Sequence, residues 1–275
     1  MKRAKKLIWL LVTAAMFAAA PLTAMALPAG GYVPTAGTSY YKDDANKWVK
    51  SCNISYSYKK DGRLTKVTRK YTDGTDSTAY TWKGNNITKV TDKYWYGESY
   101  TTTFKFKNKK LTSFQYNGDK AVKIKWKGKT GTRTQTWDGG GSTSKYTLNG
   151  KGQIVKVTTN YKSDGTKYTT TYKYYGNGNL KSYTSKGPGY SYTTKYNQKG
   201  YRTSETYKGG SATSKTTLKY KTKKGKIKEV VTNYTYKNGE YSYKSSNKFV
   251  FTKWKNVSHV RNCDAWGREI PLGCN

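Results

Sequence analysis

The chain is poor in the residues that usually build a protein core. From Leu27 onward it holds 7 Leu, 6 Ile, 12 Val and 5 Phe, which is 30 residues in about 249, or roughly 12%. A highly charged chain below ~20% is expected to stay unfolded. It is also short of catalytic material: there is one histidine, His259, and only 15 carboxylates stand against 52 Lys and Arg. Asp61, Asp73, Asp138 and Asp164 each precede a glycine, where Asp is expected for turn reasons. Asp76, Asp92, Glu98, Asp119, Glu205 and Glu229 are scattered singly. No acid–base constellation stands out, so the sequence is read as non-catalytic, without cofactor or metal. Three cysteines exclude a disulfide-rich scaffold, and with His259 they lack zinc-finger spacing.

What is present is aromatic and basic. The chain has 28 Tyr, and seven of its eight Trp follow residue 26. Disordered chains lack such aromatics. The formal charge is +37, and the four cations Lys2, Arg3, Lys5 and Lys6 account for part of it, leaving +33. Such a field attracts polyanions. The same lysines also suit a solvated sheet surface that resists aggregation.

Those four cations, the apolar run from Leu7 to Ala20 and the small residues at Ala24-Met25-Ala26 read as a signal peptide over 1–26. No later stretch is apolar enough to span a membrane as a helix. The protein is expected to be exported, not membrane-spanning, and monomeric. Residues 27–50 carry Pro28, Gly30, Gly31, Pro34 and Gly37 and read as a flexible lead-in.

Residues 51–254 read as a β-hairpin repeat domain. Tyr168, Thr170, Tyr172 and Tyr174 fall on one face at period two, with Thr169, Thr171 and Lys173 on the other. Asx-Gly pairs such as Asp61-Gly62, Asn149-Gly150 and Asn177-Gly178 punctuate the chain as hairpin turns with positive φ. Aligned on the last aromatic or apolar residue before each turn, the repeat period is about 23 residues, the signature of neighbour-on-neighbour stacking. After each turn come two apolar residues three apart: Leu64/Val67, Ile87/Val90, Leu111/Phe114, Ile154/Val157, Leu180/Tyr183 and Ile227/Val230. Either a bulge follows the first, or the first covers the hairpin end. The expected fold is all-β, an antiparallel array of about eight hairpins forming one long twisted, curled sheet. Tyr, Trp and the aliphatic pairs would line its concave face, and Thr and Lys its outer face.

The segment Tyr56-Ser-Tyr58-Lys-Lys-Asp-Gly62-Arg63-Leu64-Thr65 resembles the YD repeat of the Rhs family, and Lys151-Gly152-Gln153-Ile154 and Gly178-Asn179-Leu180-Lys181 resemble degenerate copies. The family's Asp after the second Tyr is absent, replaced for example by Lys59, Lys83 and Lys107. The resemblance implies curved repeat sheets, and in some members carbohydrate binding. Choline-binding cell-wall repeats are a fainter likeness, without their Gly-Trp signature.

Residues 255–275 leave the repeat and read as a short C-terminal cap. Cys263 and Cys274 are expected to form a local disulfide, with Cys52 separate; pairing of Cys52 to either would tie the first strand to the cap. Trp82, Trp126, Tyr172 and Tyr174 are the candidate ligand-binding aromatics, because ring faces stack on sugars or bases beside charge-neutralising Lys. The alternative role for such rings is core packing between strands. The expected function is secreted, cell-surface binding of an anionic or sugar-based polymer: cell wall, teichoic acid or acidic polysaccharide. Nucleic acid would bind in vitro only. The rival readings are a ligand-free surface or secretion-associated scaffold and an unrecognised polysaccharide hydrolase whose carboxylates pair across strands.

Overall fold

The computed structural model describes residues 30–108, 110–150, 152–263 and 269. The signal peptide and Cys274 lie outside the described residues, so the Cys263–Cys274 pairing does too. Eighteen strands are described, each antiparallel to the one before it.

The long twisted sheet expected from the sequence curls until it closes on itself as a barrel, a closure that expectation did not contain. β1 (Gly31–Lys42) pairs with β18 (Tyr241–Val257) on one side and with β2 (Trp48–Tyr58) on the other. Closure leaves no unpaired strand edge. It also corrects the reading of 27–50 as flexible, since Gly31–Lys42 is the closing strand. The residues that suggested a linker are the ones the closure needs. Pro34 sits where the register shifts, a position that tolerates a missing N–H. Gly37 lies against β18 so closely that a Cβ would meet the Val250 carbonyl oxygen at 2.5 Å and the Phe251 ring at 2.7 Å.

We call the end bearing the β1–β2 turn the upper end; alternate turns then lie above and below. Lower turns recur in a five-residue form. The N–H groups of Lys59, Asn149, Tyr175 and Asn197 donate to the carbonyls of Arg63, Gln153, Asn179 and Tyr201 at 2.8–2.9 Å. These differ from the two-residue turn expected at Asn177-Gly178: of that pair only Gly178 has positive φ, at 88°. Asn117-Gly118, in an upper turn, has positive φ at both residues, 44° and 83°.

The three-residue spacing of apolar pairs is a bulge. Tyr58 pairs with Leu64, but Ser57 pairs with Lys66, so Thr65 is the extra residue. Equivalent shifts occur at Trp82/Ile87, Phe106/Leu111, Tyr174/Leu180 and Tyr196/Arg202. The bulge turns Leu64 and Val67 to the same side, and both are fully buried. Thr65, Thr88, Thr112 and Thr203 occupy the extra position and donate their hydroxyls to the Ser57, Thr81, Lys105 and Lys195 carbonyls at 3.0–3.3 Å.

Inside and outside follow the period of two. On β2, Cys52, Ile54, Tyr56 and Tyr58 are buried, while Asn53, Ser55 and Ser57 are exposed. On β12 (Lys167–Tyr174), Thr170 and Tyr172 are buried and Lys167, Thr171 and Lys173 exposed. The outer wall is therefore Lys, Thr and Ser. A lipid-embedded barrel carries an apolar band on that face, and this wall has none at the strands just named. Among the described residues no helix is long and apolar enough to cross a membrane.

The interior has two tiers. The lower half holds the aliphatic pairs with Tyr, Phe and Trp, in two packed clusters, one around β1, β2, β3 (Leu64–Lys70) and the last three strands, the other around Phe104 to Tyr196. Aromatic rings thus replace the missing aliphatics as core. The C-terminal segment crosses the lower end. Ser258 N–H donates to the Lys60 carbonyl at 2.9 Å and Arg261 Nε to the Asp61 carbonyl at 3.3 Å. On the opposite wall, Asn262 receives the Leu180 N–H and donates to the Leu180 carbonyl, both at 3.0 Å. Gly62 must be glycine here: its φ is +81°, and a Cβ would lie 1.8 Å from the His259 carbonyl oxygen. Cys263 then pairs with Glu269 as an antiparallel bridge. The Glu269 charge bears on Tyr80, Tyr183, Tyr196 and Arg202, which come from both sides of the barrel.

Candidate functional site: the upper mouth

At the upper end the interior changes character. Trp137, Tyr161, Tyr168, Tyr190 and Tyr207 form a chain of ring contacts, with centroids 6.4, 5.6, 6.2 and 5.6 Å apart. They come from the upper ends of four successive hairpins, with Tyr161 and Tyr168 on either side of one turn, so the repeat places aromatics on the same level. Burial raises the phenols of Tyr161 and Tyr190 above their ordinary range.

The exposed large hydrophobics are Tyr41, Trp95, Tyr96, Trp137, Tyr241 and Tyr243. All six lie at the upper end: at the close of β1, in the turn after β5 (Asn86–Lys93), at the close of β9 (Thr130–Trp137), and at the start of β18. Nothing in their sequence spacing marks them as a set. They are brought together because every second turn of an up-and-down barrel lands on one rim.

The carboxylates gather there as well. Asp43, Asp73, Glu98, Asp119, Asp138 and Asp164 are in upper turns, and Asp61 alone occupies a described lower turn. Tyr100 donates to Glu98, and that bond pushes its phenol up to about 12. Asp92, just inside the mouth, accepts the Thr78 hydroxyl at 2.6 Å, and burial raises its carboxyl above the usual range.

The four aromatics expected to bind ligand sit elsewhere, in the lower tier. Tyr172 is 7% exposed and stacks on Tyr183 at 6.0 Å. Tyr174 packs against the same cluster. Trp82 and Trp126 are half-buried, and each gives its indole N–H to the first apolar residue of a neighbouring repeat unit. Trp82 donates to the Leu64 carbonyl at 2.7 Å and Trp126 to the Leu111 carbonyl at 2.8 Å. Trp254 does the same to Ile227 at 2.7 Å. These rings tie one hairpin to the next. Their position just before a turn resembles that of the rim aromatics in sequence, and only the parity of the turn separates the two sets.

Two arginine-centred groupings, one of them with a carboxylate, line the interior away from the rim. Glu205 accepts Arg202 Nη1 at 2.5 Å and the Tyr192 hydroxyl at 2.7 Å. Arg133 is buried, donates to Ser144 at 2.8 Å and lies over the Phe114 ring. Among the described residues no cluster of His, Cys, Asp and Glu could hold a metal ion. Cys52 is buried in the upper half of β2, and burial raises its thiol. Cys263 is at the lower end, against the Gly178 carbonyl at 3.8 Å.

No protein-family model matches the chain, and no curated protein does. Among solved structures, a porin-like protein from Bacteroides uniformis is similar with TM-score 0.40 and 14% identity over 80% of this chain and 97% of that one. A porin-like protein from Bacteroides vulgatus gives 0.35 and 12%, over 80% and 99%. The Tc holotoxin pore of Photorhabdus luminescens gives 0.33 and 9%, over 72% of this chain and 13% of that one. Likeness this distant says nothing about what the chain does.

Proposed function

We propose that the protein is an exported, non-catalytic, water-soluble barrel that binds a sugar-based or anionic polymer at the bacterial surface. The observation that carries this reading is the gathering of every exposed large aromatic among the described residues at one rim. A patch of exposed rings on a protein otherwise coated in Lys and Thr marks an interaction site. Rings stack on sugar faces, and the lysine wall supplies long-range attraction to polyanions without selectivity. The resemblance to YD repeats supports the repeat architecture and is compatible with a carbohydrate partner.

The test is retention of the mature protein on purified cell wall, teichoic acid, acidic polysaccharide and DNA across a salt series. Binding through charge alone falls steeply with salt and alike for every polyanion. Ring stacking leaves a salt-resistant fraction, lost in Trp137→Ala and Tyr241→Ala but kept in Trp82→Phe. No retention on any polymer at low salt ends the binding reading, and release of reducing sugar would make the protein a hydrolase.

A further inference from the structure

One sector of the rim differs from the rest of the molecule. It is built on the turn Tyr94–Glu98, closed by Tyr94 N–H to the Glu98 carbonyl at 2.9 Å and Gly97 N–H to the Tyr94 carbonyl at 3.0 Å. Tyr94 stacks on Tyr96 at 5.4 Å, Trp95 meets Tyr96 edge-on at 5.7 Å, and Tyr100 stacks on Tyr116 at 6.0 Å. Trp95 and Tyr96 are 54% and 53% exposed. Exposure here is not slackness. The Trp95 backbone N–H donates to Asp76 Oδ1 at 2.9 Å, and Trp95 Cβ packs so tightly on Gly74 that a Cβ there would lie 2.4 Å away. A turn fixed in this way has its backbone ordering cost already met before a ligand arrives.

The sector is also where carboxylates are concentrated. Several rings elsewhere carry the chain's own cations: Lys42 and Lys248 over Trp48, Lys110 over Trp126, Lys228 over Trp254, Lys181 over Tyr175. Among the described residues no Lys or Arg lies over the rings of Trp95, Tyr94, Tyr96, Tyr100 or Tyr116. Instead the charges of Asp76, Asp92, Glu98 and Asp119 bear on Tyr94, Tyr100 and Tyr116; the cation set among these carboxylates is Arg69, opposite Asp76 in the ladder and acting on Asp92, and Lys70, Lys93 and Lys120 are neighbours in sequence. In a chain with 52 cations and 15 carboxylates, this concentration puts the exposed Trp95 and Tyr96 rings beside negative charge. Those are the two features that hold an ammonium group.

We propose that this sector is a subsite for an amine-bearing sugar, a glucosamine-type unit whose ring stacks on Trp95, with Tyr96 standing edge-on beside it, and whose ammonium faces Glu98 and the neighbouring carboxylates. The inference rests on the polymer-binding reading above and deepens it by assigning the rim a ligand opposite in charge to the ligands of the lysine wall. Anionic headgroups of a membrane are disfavoured at this sector by the same carboxylates.

The experiment uses the mature protein with glucosamine oligomers, their fully N-acetylated counterparts, and phosphatidylglycerol vesicles. The glucosamine oligomer is expected to bind and to perturb tryptophan fluorescence. Trp95→Ala should weaken it roughly ten-fold, the equivalent of one aromatic contact. Glu98→Gln should weaken the amine form and leave the acetylated form unchanged. Circular dichroism of both variants should match the parent. No binding of glucosamine oligomers, equal preference for the acetylated form, or Trp95-dependent binding to the vesicles instead would each overturn the proposal. Retention of the same protein on intact cell wall would, in those cases, leave the wider binding reading standing.

Discussion

Replacing Asn262 by alanine tests how the barrel is closed below. The ladder between β13 (Leu180–Gly187) and β14 (Tyr190–Tyr196) stops at Ser182–Lys195. Below it the Asn262 amide takes both polar groups of Leu180, each at 3.0 Å, in the manner of a missing strand. Asn262 is 1% exposed and Leu180 likewise. Truncation leaves a buried N–H and a buried carbonyl unpartnered, at about 1–3 kcal/mol each. The expected loss is about 2–5 kcal/mol, a large part of the roughly 5–15 kcal/mol typical of a domain. At about 2–4 °C per kcal/mol for this size, Tm should fall by roughly 5–15 °C. Asn262→Asp should be no better, because a carboxylate cannot donate to the Leu180 carbonyl. Urea unfolding followed by fluorescence measures the loss, and hydrogen exchange should show the Leu180 amide deprotected. A change under about 0.5 kcal/mol, typical of an inert surface site, or an unchanged Leu180 amide would refute the closure argument.

Trp82→Phe keeps the ring and removes the N–H that satisfies the Leu64 carbonyl, so it should cost about 1–3 kcal/mol in urea unfolding without altering polymer retention. Gly62→Ala places a Cβ against the His259 carbonyl in a left-handed backbone; a loss of at least about 1–3 kcal/mol is expected, with faster proteolysis of the C-terminal segment. The Tyr183 phenol is pushed up to about 12, first by burial and then by the Glu269 charge. Because the folded state holds this proton more tightly than the unfolded state, its contribution to stability is complete below about pH 10 and is lost as pH rises from 10 toward 12. Urea midpoints measured over that range should fall, and less steeply in Tyr183→Phe.

The local grammar of the chain is fully legible in its sequence. Period-two alternation at 168–174 separates the buried from the exposed side chains of β12, because a pleated strand has no other option. The triplet spacing of Leu64 and Val67 admits two readings, and the register at Thr65 selects the bulge. The scarcity of aliphatics already requires Tyr and Trp to fill the core. Closure was not legible, because the strand that seals the ring is written in Gly and Pro, whose fit is set by Val250 and Phe251 more than two hundred residues away. The role of each aromatic was not legible either. Trp82 and Trp95 sit in similar company in sequence, yet one ties two hairpins together and the other stands in solvent. What separates them is which end of the barrel their turn reaches, and that depends on counting strands around a closed ring, a property no local stretch contains.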